Sequence, residues 1–264
     1  MGFKDARRYT ALAVPEVTRT ERISPNFIRV TFAGDGLDAF PLHGFDHWFR
    51  LFLPHEDGAA SFDLPNRMDT LGYLRYLRMP GATRPHMRNY TVRELRPRVG
   101  EMDVDFVVHG DDGVATRWVQ RVEPGARVAL LDQGRGHDIP DGTEAHLLVG
   151  DETALPAVAG ILRDLPRDAR GAAWVELANP ADAQETGAPD GVAVHWVTRP
   201  PGSRPGATVL DAVRAAPLPT GRIAAYLAGE QALPAALRRW LVGEHRVPKT
   251  AIAFQGYWRM SHPH

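Results

Sequence analysis

The hexapeptide Arg88-Asn89-Tyr90-Thr91-Val92-Arg93 gathers two guanidinium groups, a phenol ring and a hydroxyl in one short run. Side chains alternate along a strand, so Arg88, Tyr90 and Val92 are expected on one face and Asn89, Thr91 and Arg93 on the other, unless the strand end is bent. An aromatic ring packs on an isoalloxazine face, a hydroxyl bonds a flavin edge, and a guanidinium forks onto a diphosphate. The plainer alternative is an ordinary strand with exposed arginines. A second run, His109-Gly110-Asp111-Asp112-Gly113-Val114-Ala115-Thr116-Arg117-Trp118, leads from a strand end through a glycine loop into a helix start. Free backbone N–H groups and the positive helix end make such a place an anion cradle. Glycine admits a close-lying phosphate, and Thr116 adds a hydroxyl. Here the alternative is a plain turn, with Trp118 in the core and His109 a satisfied polar residue.

Further along, Gly150-Asp151-Glu152-Thr153-Ala154-Leu155-Pro156-Ala157 again reads strand, turn and helix. It is not GxGxxG, so the dinucleotide fingerprint of the simplest Rossmann domains is missing. A nicotinamide dinucleotide can still lay its diphosphate near this helix start. Gly229-Glu230 and Gly256-Tyr257-Trp258-Arg259 fall where late strands of a parallel sheet should end, and are expected to line its ligand crevice. Tyr257 or Trp258 can equally cap the core. Arg199 follows a strand and is placed to pair with a 2′-phosphate, whereas Glu176, late in another strand, favours a ribose hydroxyl. From Arg67 to Arg98, eight arginines stand against Asp69 and Glu94 alone, either a solvated basic face or an anion-binding one. Arg50, Arg246 and Lys249 are the basic residues nominated to select an anionic substrate.

Several chemistries are excluded. There is no cysteine, hence no disulfide, thiolate metal site, iron–sulfur cluster or cysteine nucleophile. The 11 histidines show no HExxH or HxH spacing, so no built-in metal site is expected. No GxSxG elbow is present. Lys and Arg number 31 against 32 Asp and Glu, which gives no global signal for nucleic acid or membrane surfaces. Neither a signal peptide nor an apolar run long enough to span a bilayer is visible, so a cytoplasmic protein is expected, by default a monomer.

The elements that must position these groups change grammar midway. Up to Asp132 the apolar residues come in short stretches, as in Asn26-Phe27-Ile28-Arg29-Val30-Thr31-Phe32, where Ile28, Val30 and Phe32 alternate with Arg29 and Thr31. With Gly113 to Val122 as its one clear helix, and Arg67 to Met79 as a possible second, this half predicts an antiparallel β-barrel. A Gly, Pro and Asp-rich stretch, Gln133 to Thr143, reads as a linker. Strands then alternate with helices, which predicts a three-layer α/β domain around a parallel sheet. The expected domains are 1–138 and 139–264.

The ordered set Arg-x-Tyr-Thr-x-Arg, His-Gly before a glycine-led helix, Gly-Asp-Glu-Thr-Ala-Leu-Pro-Ala, Gly-Glu, and Gly-Tyr-Trp-Arg resembles the siderophore-interacting proteins. These are FAD-containing ferric-siderophore reductases of the ferredoxin–NADP reductase-like superfamily. The resemblance runs from about Arg22 to Arg259. It implies that Arg88, Tyr90, Thr91 and Arg93 contact the flavin and its diphosphate, and that His109, Gly110, Ala115 and Thr116 complete the FAD site. Asp151, Glu152, Thr153, Gly229 and Glu230 would surround NADPH or NADH, with Tyr257 and Trp258 near the exposed flavin face. His47 and Arg50 resemble the family's His-x-x-Lys strand, as substrate-binding residues beside the barrel mouth. Val114 stands where the family usually has proline. The implied activity is hydride transfer from a reduced nicotinamide to flavin, then single electrons to the iron of a ferric siderophore, with no catalytic acid or base. Other readings are a flavin reductase with another acceptor, or a flavin-containing siderophore carrier with ferredoxin as donor.

Overall fold

The computed structural model describes residues 11–108 and 113–260. The chain divides between Arg135 and Gly136 into two compact units, inside the stretch that reads as a linker.

The first unit has eight strands: β1 (Leu12–Ala13), β2 (Glu16–Ser24), β3 (Phe27–Ala33), β4 (Trp48–Leu53), β5 (His86–Thr91), β6 (Glu94–Arg96), β7 (Glu101–Val107) and β8 (Ala129–Asp132). They form two antiparallel four-stranded sheets, ordered β1-β8-β4-β5 and β2-β3-β7-β6. Val30 and Phe32 of the second sheet share one core with Phe49, Leu51 and Leu130 of the first. The alternation read in β3 holds, but its polar face is covered by cross-strand pairing. Arg29 forks onto Asp105 at 2.6 and 2.9 Å, and Thr31 donates to Asp103 at 2.8 Å.

Two helices accompany the barrel. Helix α1 (Thr70–Leu77) lies in the basic excursion; the Asp69 side chain caps it by accepting from the Gly72 N–H at 2.9 Å. Tyr76 anchors it, packing on Phe52 and donating to the Pro85 carbonyl at 2.8 Å. Helix α2 (Val114–Arg121) turns Ala115 and Val119 into the core, and sets Trp118 against Phe32 and Phe106.

The second unit is a parallel sheet of β9 (Ala145–Gly150), β10 (Gly171–Leu177), β11 (Val192–Thr198), β12 (Ile223–Glu230) and β13 (Ile252–Trp258), ordered β11-β10-β9-β12-β13. Its helices are α3 (Leu155–Asp164), α4 (Ala207–Ala215) and α5 (Ala232–Gly243). Crossovers in such sheets are right-handed. The chain steps one way from β9 to β10 and the other way from β11 to β12 to β13, so α3 covers one face while α4 and α5 cover the other. Val209, Val213, Leu233 and Leu237 accordingly share a core with Leu147, Val149, Ala225 and Leu227. The direction reverses between β9 and β12, and ligand crevices open at the carboxyl ends of strands beside such a switch.

Candidate functional site

In the barrel unit the Arg88–Arg93 run spans a corner. β5 pairs with β4 up to Thr91; the Val92 N–H then bonds the His47 carbonyl at 2.8 Å and the Arg93 N–H bonds the Asp103 carbonyl at 2.9 Å. The bend passes the chain from one sheet to the other. Tyr90 lies 4.3 Å from the Phe106 ring, and burial raises its phenol above the ordinary range. Thr91 is buried, and Arg93 approaches the Asp105 carboxylate at 3.4 Å. Arg88 is exposed, with Nη1 folded back on the Met87 carbonyl.

Gly113 caps α2 with extended backbone and, being glycine, brings no side-chain hydrogen bond of its own to the first-turn N–H groups. A Cβ at Gly113 would lie 3.1 Å from Thr116 Oγ1, filling the space beside that hydroxyl. A glycine-capped helix start with a hydroxyl beside it and no Cβ fits the diphosphate of FAD. His109 and Gly110 lie outside the described residues.

Arg50 is a partly buried cation with few partners. Its Nε has no hydrogen-bond partner, and Nη1 rests 3.6 Å from Met87 Sδ. Among the described residues no carboxylate pairs with it. Desolvation lowers its pKa from the ordinary arginine value, and the nearby Tyr73 phenol of α1 works the other way.

His47 corrects the sequence reading. Expected to meet substrate beside Arg50, it is 1% exposed, with Nε2 bonded to Asp132 Oδ1 at 2.8 Å. His43 Nε2 takes the other oxygen at 3.1 Å, and the Gly134 N–H also donates to Oδ1. Ligand-capable atoms of His43, His47 and Asp132 thus lie within 4.8 Å of one another, a grouping that linear spacing did not reveal. Both imidazoles are spent on the carboxylate they share. Burial holds His47 below the ordinary histidine value, and these hydrogen bonds hold Asp132 below the ordinary carboxylate value despite its burial. His47 therefore positions the start of β4 from inside.

In the α/β unit the nominated residues do converge at the strand ends, but they bind one another. Asp151, after β9, accepts from the Thr153 N–H and hydroxyl, the Glu230 N–H and the Trp258 indole N–H, at 2.9, 2.5, 2.6 and 3.0 Å. Burial pushes its pKa up while these donors pull it down. Gly229 has φ +126°, and a Cβ there would stand 2.7 Å from the Asp151 carboxyl, so glycine is required twice over. Glu230 accepts from the Ala232 N–H at 2.8 Å, and Tyr257 meets Tyr226 hydroxyl to hydroxyl at 2.6 Å.

Arg199 is similarly absorbed. Its guanidinium reaches both oxygens of Glu152 at 2.8 and 3.0 Å and Glu176 at 2.9 Å. Glu176 in turn accepts from the Gly206 and Val209 N–H groups at the start of α4. The expectation that Arg199 reads a 2′-phosphate and Glu176 a ribose hydroxyl gives way to a buried staple. Arg246 and Lys249 belong to the segment between α5 and β13. They precede Ile252, at the amino end of β13, a strand length of about 20 Å from Glu230 and Trp258. Arg259, in the Gly256–Arg259 run expected to line the crevice, is exposed one position beyond β13.

An antiparallel barrel with a glycine-led helix, followed by a doubly wound parallel sheet with its crevice at the strand carboxyl ends, is the ferredoxin–NADP reductase-like fold. Residues 16–136 match the siderophore-interacting FAD-binding domain and residues 143–261 match the siderophore-interacting protein family. The chain belongs to the siderophore-interacting protein family. A siderophore utilization protein from T. fusca, of known crystal structure, is 30% identical, with a TM-score of 0.79 over 97% of this chain and 96% of its own. Ferric vibriobactin reductase ViuB of Vibrio cholerae is 28% identical over 247 residues, covering 92% of this chain and 88% of its own. The NADPH-dependent ferric-chelate reductase of Escherichia coli is 34% identical over 153 residues, covering 57% and 56%.

Proposed function

We propose that this protein is an FAD-dependent, NAD(P)H-driven oxidoreductase that reduces iron(III)-siderophore complexes and releases iron as Fe(II), acting in the cytoplasm as a monomer. Bound FAD would accept the two electrons of a nicotinamide hydride and deliver them singly, so that one NAD(P)H serves two ferric ions. The protein's part is to bind and orient. The α2 start and Thr116 would hold the diphosphate, and Tyr90, packed on Phe106, would offer a ring edge beside the Thr91 corner. No proton needs to be delivered at iron.

Arg50 carries this reading. A partly desolvated guanidinium with no carboxylate partner costs stability unless an anion answers it. Ferric siderophores of the catecholate class are strongly anionic. With Arg199 engaged by Glu152 and Glu176, no free guanidinium of that strand end is left for a 2′-phosphate, which favours use of both NADPH and NADH. Ferredoxin as donor remains the competing version.

The test is NAD(P)H-driven Fe(II) release, trapped by a ferrous chelator, for wild type and Arg50→Ala at low and high salt. A charge-assisted hydrogen bond contributes about 1.5–3 kcal/mol, so the variant should show a KM raised roughly ten- to hundredfold, with FAD content unchanged. Flavin reduction by NAD(P)H without any Fe(II) from catecholate, hydroxamate or carboxylate complexes would move the assignment to another acceptor. Iron release only when reduced ferredoxin is supplied would move it to the other donor.

A further inference from the structure

Helix α1 is apolar nearly all round, Thr-Leu-Gly-Tyr-Leu-Arg-Tyr-Leu, yet only Gly72 and Tyr76 are buried. Leu71 is 77% exposed, Leu74 44%, Leu77 42% and Tyr73 40%, four of the seven large exposed apolar side chains found among the described residues. At helical spacing Leu71 and Leu74 lie one turn apart on the outermost face, with Arg75 and Arg78 beside them. A helix apolar on every side normally sits in a core, and an exposed apolar patch of this kind marks an interaction surface.

The outward face is built, not frayed. Tyr76 ties the helix to Phe52 and the Pro85 carbonyl, Arg84 bonds the Leu77 carbonyl at 2.8 Å, and Gly72 lies so close to the Arg67 carbonyl that no Cβ would fit. From Arg67 to Arg84 basic charge predominates around it. Arg67, Arg75, Arg78 and Arg84 belong to this segment; of its acids, Asp69 is spent capping the helix, and Asp63 meets Arg75 in a solvent-exposed pair at 3.6 Å.

We propose that α1 is a peripheral docking element for an anionic lipid surface, its leucines entering the headgroup boundary and its arginines resting on the lipid charges. Outward leucines with arginines at the end of one short helix and beside it are the composition that lies in such an interface. The near-neutral net charge of the whole chain hides this local patch. The proposal goes beyond the reductase reading and is tested without any redox measurement.

The protein would be sedimented with vesicles of phosphatidylcholine containing about one-third phosphatidylglycerol, and with phosphatidylcholine alone. Binding to the anionic vesicles should exceed binding to the neutral ones roughly tenfold at low salt and fall as salt rises. Leu71→Glu/Leu74→Glu and Arg75→Glu/Arg78→Glu should each abolish the difference while the far-ultraviolet spectrum and melting temperature stay at wild-type values. Equal sedimentation with both vesicle types, or full binding by the leucine variant, would overturn the proposal. So would a solution dimer, dissociated by the leucine variant, in a protein that ignores vesicles, because a second copy would then be the occupant. FAD uptake and Fe(II) release in vesicle-free buffer stand apart from all of these outcomes.

Discussion

The two units treat charge in opposite ways. In the barrel unit Arg50 and Arg88 end without a carboxylate partner among the described residues, and α2 begins on a glycine cap. In the α/β unit Asp151, Glu152, Glu176 and Glu230 are all at most 2% exposed, and each is saturated by internal donors. The barrel thus offers side-chain charge to a ligand, while the strand ends of the α/β unit offer chiefly backbone and shape. Acidic residues at a cofactor crevice can be scaffold, and a motif match does not distinguish the two uses.

The largest effect should come from opening the buried staple. Arg199→Ala leaves Glu152 and Glu176 without their cation, and losing one partner of a buried pair costs about 3–5 kcal/mol. Arg50→Ala should change stability by no more than about 0.5 kcal/mol, because it breaks no pair. Denaturant unfolding of both variants measures the contrast, and similar losses would dissolve it. Gly229→Ala should come next, at about 1–3 kcal/mol, from a positive φ and a Cβ pressed on Asp151. Unfolding at wild-type midpoint would mean that the Asp151 knot yields easily.

The smallest expected effect is one of pH, in the barrel. Burial holds folded His47 below 6.5, so on acidification the unfolded chain takes up that proton first. Its contribution is complete above 6.5 and declines as pH falls toward the folded value. Asp132 is held below 3.8, so its contribution is lost only in stronger acid. Between pH 7.5 and 5.5 the His47 share amounts to about 1 kcal/mol at most. His47→Gln, which keeps a donor for Asp132, should flatten the fall in melting temperature over that interval. An unchanged slope would assign it to other histidines, such as His146 in the α/β unit, which burial also holds low.

Much of the architecture was legible because it rests on local periodicity. The alternation of Ile28, Val30 and Phe32 announces a half-buried strand, and the switch to strand–helix alternation after Gln133 announces a parallel sheet. The partners of Arg199 were not legible, since Glu152 lies 47 residues away and Glu176 23, and only the sheet's strand order brings them together. The His43, His47 and Asp132 cluster escaped for the same reason, its members standing up to 89 positions apart.

The pairing of β1 with β8 bears on how the protein is made. Leu12 and Ala13, near the beginning of the barrel unit, find their partners in Leu131 and Leu130, close to its last strand. During synthesis the opening strand therefore has no mate until β8 has left the ribosome, whereas the β2–β3 hairpin can close at once. Once β8 emerges, the sheet can be completed while the α/β half is still being translated. A nascent chain stalled just after Gly136 and given room to clear the exit tunnel should already resist protease, whereas one stalled before Ala129 should remain open to cleavage.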